Sequence, residues 1–258
     1  MSIRSALRNP PTRAKVMGSI FITIGIYLII FHSETIYINI GFGAIFIGLF
    51  AFIVITEKTI PKKLNDAQLL SSMELLYSLT DNLELKGNGL YIPAGGNLTK
   101  ERVFIPLQEE EKYDLPSLDD DTVFVTGTSG SSLGVVFVPP GLGLLDLYEK
   151  EMGVKIENID IDELEQNLQI MIYGLGLIKD LFIKREENEF IRLKITHSAY
   201  KDICEEIARN KGIICKQTGC PICSSILCAL TRSLDKKVRI RQVDIKDNII
   251  SFKLRIGG

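Results

Sequence analysis

Two long apolar runs open the hydropathy pattern. Val16 to Ser33 contains no Asp, Glu, Lys or Arg, and neither does Thr35 to Thr56. A helix rises about 1.5 Å per residue, so the first run just crosses a hydrocarbon core of roughly 30 Å and the second does so comfortably. Only the turn His32-Ser33-Glu34 separates them, which predicts an antiparallel transmembrane hairpin over residues 16–56. Arg4, Arg8, Arg13 and Lys15 precede it, Lys58, Lys62 and Lys63 follow it, and the turn has no Lys or Arg. The positive-inside rule therefore expects both termini in the cytoplasm of a two-span cell-membrane protein. A cleaved signal peptide is disfavoured, because no small-residue cleavage site follows Phe31 and a second run begins at once. Gly18, Gly25, Gly41, Gly43 and Gly48 either let the helices pack closely or reflect the high glycine content of membrane helices. With no charge inside either run, the hairpin reads as an anchor rather than an ion pathway.

Past Glu57 the pattern shortens. Leu69, Leu70, Met73, Leu76 and Leu79 recur at helical spacing behind Asn65 or Asp66 as cap, which predicts a linker helix. Leu90-Tyr91-Ile92, Val103-Phe104-Ile105, Val123-Phe124-Val125 and Val135 to Val138 are short β-branched or aromatic runs between turn-forming and acidic clusters. They predict a small antiparallel sheet. Leu142, Leu144, Leu145, Leu147 and Tyr148 start a short helix that stops at Gly153. Asp160 to Phe182 reads as one regular helix, with Ile161, Leu164, Leu168, Met171, Leu175, Ile178 and Phe182 alternately three and four apart. That spacing fits a core helix, and a dimer seam as the alternative. The last third reads strand (Phe190 to Ile195), helix (capped by Ser198, ended by Gly212), short extended piece (Ile213 to Cys215), helix (Cys220 cap, Pro221 first, to about Leu234) and a terminal β-hairpin.

Charge narrows the partners. The chain carries −2 overall, and the nine charged residues before Leu64 sum to +5, which leaves −7 for the remainder. An acidic domain disfavours nucleic acid, whose affinity comes largely from phosphate neutralisation. The acidic clusters Glu109-Glu110-Glu111 and Asp119-Asp120-Asp121 read as solvated loops.

Candidate chemistry centres on the cysteines. All five (Cys204, Cys215, Cys220, Cys223 and Cys228) lie in the last third, and a cytoplasmic setting keeps them as thiols. As small apolar side chains they fit the faces of their helices, the preferred reading. As metal ligands, Cys215, Cys220 and Cys223 would hold zinc or an iron–sulfur cluster, with Cys204 or Cys228 as the fourth. As a redox pair, Cys220-Pro221-Ile222-Cys223 places a thiol at a helix N-terminus, as in glutaredoxins, but lacks the βαβ structure that should follow. Thr126 to Gly134 (TGTSGSSLG) resembles a P-loop only superficially, because a strand follows where a helix is required. His32 and His197 are the only histidines. No catalytic constellation is legible, and the reading leans away from an enzyme.

YIPAGG (Tyr91 to Gly96), VFIPL (Val103 to Leu107), PPGLGLLDLYEKEMG (Pro139 to Gly153) and GCPICSSILCAL (Gly219 to Leu230), behind a two-span hairpin, resemble a family of uncharacterised archaeal membrane-anchored proteins. That resemblance implies the anchor but no activity. Phe190 to Ile256 is similar in order and pattern to the end of the V4R/Bet3-like fold. The resemblance implies a domain that binds small hydrophobic ligands or assembles with partners, with a pocket between the Cys220 helix and the sheet. The chain departs from that family's terminal Cys, Gly, Cys-x-Phe pattern: Ile250-Ser251-Phe252 keeps only the Phe.

The expectation is an α+β protein: an N-terminal two-helix transmembrane hairpin, then a cytoplasmic domain of antiparallel sheet with packed helices. Its parts are a basic segment (1–15), the hairpin (16–56), a linker helix (57–86), a β-rich subdomain (87–156) and a V4R-like subdomain (157–258). The expected partners are the bilayer, through residues 16–56, and a small apolar ligand, a homodimer mate or a membrane-complex subunit. A membrane-tethered binding or regulatory role is the first reading, and redox or metal chemistry at Cys215, Cys220 and Cys223 the alternative.

Overall fold

A computed structural model describes residues 10–54, 62–127, 132–174, 176–186, 189–197, 200–246 and 249–257. The chain divides into two compact units, Met1–Asn65 and Asp66–Gly258.

The first unit is a pair of apolar helices, α1 (Pro10–Phe31) and α2 (Thr35–Val54). A glycine seam joins them. A Cβ on Gly25 would lie 2.6 Å from the Gly41 carbonyl, and one on Gly48 would lie 2.7 Å from the Gly18 carbonyl. The backbones touch where side chains are missing, which fits the close-packing reading for Gly18, Gly25, Gly41 and Gly48, while Gly43 faces open space. Ile22, Ile29 and Ile45 are half-buried against this seam, and most of the other large side chains point outward: Ile20, Ile24, Ile30, Phe31, Phe42, Phe46, Ile47 and Phe50 are all exposed. At the turn, the rings of Tyr27, His32 and Tyr37 cluster, His32 lying 6.2 Å from Tyr27 and 4.6 Å from Tyr37.

The second unit begins in α3 (Lys62–Asn82) and is built on one eight-stranded antiparallel sheet. Its strands are β1 (Leu90–Ile92), β2 (Arg102–Pro106), β3 (Phe124–Val125), β4 (Gly134–Phe137), β5 (Ile178–Arg185), β6 (Phe190–His197), β7 (Val238–Lys246) and β8 (Ile249–Ile256), in the spatial order β3-β4-β2-β1-β7-β8-β6-β5. β1 pairs with β7, so the sheet runs unbroken from the small hairpins to the terminal one. The remaining helices are α4 (Leu142–Met152), α5 (Ile161–Gly174), α6 (Lys201–Gln217) and α7 (Pro221–Leu234). Met73 of α3 joins them in one core over the inward residues Leu181, Ile191, Leu193, Ile195, Phe252 and Leu254. The opposite face of β1–β4 has a smaller core of Leu90, Phe104, Val136, Tyr113 and Leu118.

α7 is the centre of this unit. Eleven of its 14 residues are buried, so it behaves as a core rod with water only at its ends. Its hydroxyls are satisfied locally: Thr231 donates to the Leu227 carbonyl at 2.8 Å and Ser233 to that of Ile159 at 2.9 Å. The stretch Lys201–Leu234 is long and apolar enough to cross a membrane, but 83% of its apolar window is buried within the domain, which marks a core pair. The apolar lengths Val16–Phe31 and Thr35–Ala51 in α1 and α2 are shorter.

Two sequence expectations need correction. The helix expected over 160–182 ends at Gly174. Gly176 takes φ +67, a left-handed turn that suits glycine, and Ile178 and Phe182 fall on strand β5. Leu164, Leu168 and Ile172 are fully buried, so α5 is a core helix and not an exposed seam. Ile213 to Cys215 is helical: α6 bends at Lys211 (φ −144, ψ 41) and resumes, where Gly212 was expected to end it. The acidic loops are solvated, as expected, but two of their carboxylates hold buried arginines. Arg239, 2% exposed, is held by Glu109 at 2.7 Å and the Glu111 carbonyl at 2.9 Å, and Arg102 by Asp120 at 2.8 Å. Ser198, Asp247, Asn248 and part of the Thr126 to Gly134 loop lie outside the described residues.

Candidate functional site

The residues singled out for chemistry meet where α6 hands over to α7. Gly219 (φ +67) closes the turn, with its N–H and that of Thr218 both on the Ile214 carbonyl, at 2.8 and 2.9 Å. Cys220 then takes the extended N-cap position with Pro221 behind it, as the sequence expects, although its side chain makes no capping hydrogen bond. Tyr91 of β1 pins this junction to the sheet. Its hydroxyl donates to the Thr218 carbonyl at 2.5 Å and accepts from Ser224 at 2.8 Å. Burial pushes the Tyr91 hydroxyl well above its ordinary range. Gln217, fully buried, donates to the Leu85 carbonyl at 2.7 Å.

All five cysteines are free and buried. Cys220 is the hub: its thiol is hydrogen-bonded with Cys204 and with Cys223. Those bonds, with burial second, push the Cys204 and Cys223 thiols well above the usual range. Cys215 is near enough to feel Cys220, and burial pushes it up to about 12. Cys228 stands apart, near Glu101 and Arg232, and is raised by burial. Of the expected set, Cys220 and Cys223 are joined directly, Cys215 is coupled to Cys220 only electrostatically, and Cys204, a candidate fourth ligand, also joins Cys220. Among the described residues, no group of three or more His, Cys, Asp or Glu side chains is arranged to hold a metal ion. Buried neutral thiols are poor nucleophiles at neutral pH.

Cys215 also reaches the wall of a groove of about 710 Å³ between α6 and the far half of β7. Ala208, Gly212, Ile213, Val243 and Ile245 form its apolar wall, and Lys86, Arg209, Lys216 and Glu205 its rim. Ile213 is 39% exposed there, an apolar side chain left facing the groove. The pocket expected between the Cys220 helix and the sheet is filled by the packing of α7, and the open space lies one helix over. Nothing in the linear pattern pointed to Lys86 and β7 as neighbours of α6. The signal available was Val243 and Ile245, apolar residues two apart on the first strand of the terminal hairpin.

The chain matches the family described as "Domain of unknown function (DUF7982)" over residues 12–253. The chain belongs to that family. No curated protein matches it. Among solved structures it is similar to a trafficking protein particle complex subunit 3 from Naegleria fowleri covalently bound to palmitic acid. The two are 13% identical over 46% of this chain and 74% of that one, with a TM-score of 0.29. A likeness that slight assigns no ligand to this chain.

Proposed function

We propose that the protein is a membrane-tethered binding or regulatory module. Residues 16–56 span the bilayer as a hairpin with both termini in the cytoplasm. The α6–β7 groove of the following domain takes a small ligand with an apolar body and an acidic group. One observation carries the reading: α1 and α2 meet through glycines and turn most of their large apolar side chains outward. Such a surface is inverted for water and suited to lipid, where each side chain of the size of Ile or Phe gains roughly 1.5–3 kcal/mol on burial. Tyr27 and Tyr37 at the turn match the aromatic belt of a bilayer interface. The basic residues flanking both runs favour the cytoplasmic side for the ends. Three cations against one carboxylate on the groove rim favour an acidic ligand over a basic one.

The tether is tested by reconstituting the full chain in phosphatidylcholine vesicles and washing with alkaline carbonate. Retention in the pellet supports it, and release into the wash rejects it. The groove is tested with 1-anilinonaphthalene-8-sulfonate, an apolar anion. In matched nanodiscs, Ile213→Glu should lower its protein-specific fluorescence about ten-fold with unchanged circular dichroism. Equal signals reject the groove as the site.

A second reading, thiol-based redox or soft-metal binding, rests on the contact of Cys220 with Cys204 and Cys223 alone, against their burial and the lack of a metal-holding group among the described residues. Elemental analysis with thiol titration on anaerobically purified full chain separates the two. Zinc or iron near one per chain with protected thiols supports the second reading. Metal-free protein whose thiols react only after denaturation makes the cysteines core residues.

A further inference from the structure

The sheet face turned away from the helices carries a cation cluster that neither the hairpin nor the groove uses. Lys184 on β5 stands opposite Arg192 on β6, and Arg192 stands opposite Lys253 on β8, three positive side chains abreast. Like charges placed directly opposite destabilise a sheet. Glu186 serves all three: it bonds Arg192 at 2.6 Å, and that bond, with the nearby Lys253 and Lys184, holds its carboxyl below the usual range. One row along, Lys194 faces Phe182, which is 45% exposed. Asp180 and Asp244 sit on the same face and offset part of the charge. The face remains positive on a domain whose own charge is −7, so overall composition does not explain it.

We infer that this face docks on anionic phospholipid headgroups of the membrane that holds the chain. The inference rests on the bilayer reading of residues 16–56. Charge complementarity supplies the attraction: each Lys or Arg near an anionic leaflet strengthens binding roughly five-fold, and salt screens the effect. The exposed Phe182 ring suits the interfacial layer beside Lys194. A short link between Thr56 and α3 keeps the domain at high local concentration near the bilayer, so a modest intrinsic affinity suffices.

The test uses the full chain in nanodiscs of phosphatidylcholine alone or of an equal mixture with phosphatidylglycerol. Ser251→Cys, on the docking face, carries an environment-sensitive fluorophore, and Glu206→Cys, on α6, carries the control. The native thiols are buried, so labelling is selective. Acrylamide quenching at position 251 should fall about three-fold in the anionic discs and recover in high salt, and position 206 should not respond. Lys184→Glu with Lys253→Glu should abolish the difference. Equal quenching at 251 in both compositions, with the chain still in the discs, overturns the docking inference and leaves the tether standing. Failure to enter either disc overturns the tether itself. Protection of position 251 by a single-stranded oligonucleotide but not by anionic lipid would reassign the face to nucleic acid.

Discussion

Arg232→Ala should cost more stability than any exposed-charge substitution in the domain. Near the end of α7, its guanidinium lies 2.6 and 2.9 Å from the two Glu101 oxygens, 2.6 Å from Glu149 and 3.1 Å from Asp146. Burial ranks these partners, with side-chain exposures of 3% for Glu101, 18% for Glu149 and 39% for Asp146. The Asp146 contact is wet enough to contribute under about 1 kcal/mol. Glu101 decides the outcome, because without Arg232 its carboxylate stays buried and unpaired, a loss of about 3–5 kcal/mol. Against a typical total of about 5–15 kcal/mol, that is a large fraction of the fold. The assay is urea unfolding of the full chain followed by near-ultraviolet tyrosine signal, since there is no Trp. The control is the pair Arg232→Met with Glu101→Leu, which removes both charges. If the unpaired carboxylate is the cause, the pair recovers at least about 2 kcal/mol relative to the sum of the singles. A loss below about 1 kcal/mol in Arg232→Ala, or strict additivity in the pair, would refute the reasoning.

Further outcomes follow from the same contacts. Gly89→Ala puts a Cβ 1.7 Å from the Gln217 carbonyl, so it should lower stability by at least about 1–3 kcal/mol, read as a shifted urea midpoint. Gly41→Leu drives a side chain into Gly25 and Ile29 and should separate the hairpin helices, seen as loss of a cross-link between cysteines introduced in place of the seam residues Ile22 and Ile45. The Cys215 thiol is raised to about 12 in the folded chain and titrates near 8.5 when unfolded. Between those values the folded state keeps a proton the unfolded state has lost. Stability therefore falls as pH rises through that window, by about 1.4 kcal/mol per pH unit for this thiol, with no contribution below about pH 8. Urea midpoints that rise or stay flat from pH 9 to 11 would contradict it. Native-state iodoacetamide labelling should be slower than that of the unfolded chain by at least about 100-fold at neutral pH, counted by mass spectrometry.

The parts of the fold that local physics dictates were legible in the sequence. Strands β1, β2, β4 and β6 announced themselves by β-branched runs, and α7 by Cys220-Pro221 at its start. Strand β5 was lost because Ile178 and Phe182 continue a three-four spacing from α5, and the left-handed turn at Gly176 outweighed that spacing. The β1–β7 pairing joins residues some 150 positions apart, which no window of periodicity can see. For the same reason the partners of the solvated acidic loops were not legible: Arg102 and Arg239 are distant in sequence and are buried only through the sheet. The thiol cluster was half legible. Cys220 and Cys223 share one turn, but Cys204 reaches them through tertiary packing across the bend at Lys211.

The tether carries the functional reading, and its topology is the most direct thing to measure. Ser33→Cys at the turn and Ser251→Cys in the domain are labelled with a membrane-impermeant maleimide in sealed vesicles, with the buried native thiols as silent background. A bilayer-spanning hairpin predicts that position 33 reacts from one side and position 251 only from the other. Labelling of both from the same side, or release of the chain by carbonate, would contradict it.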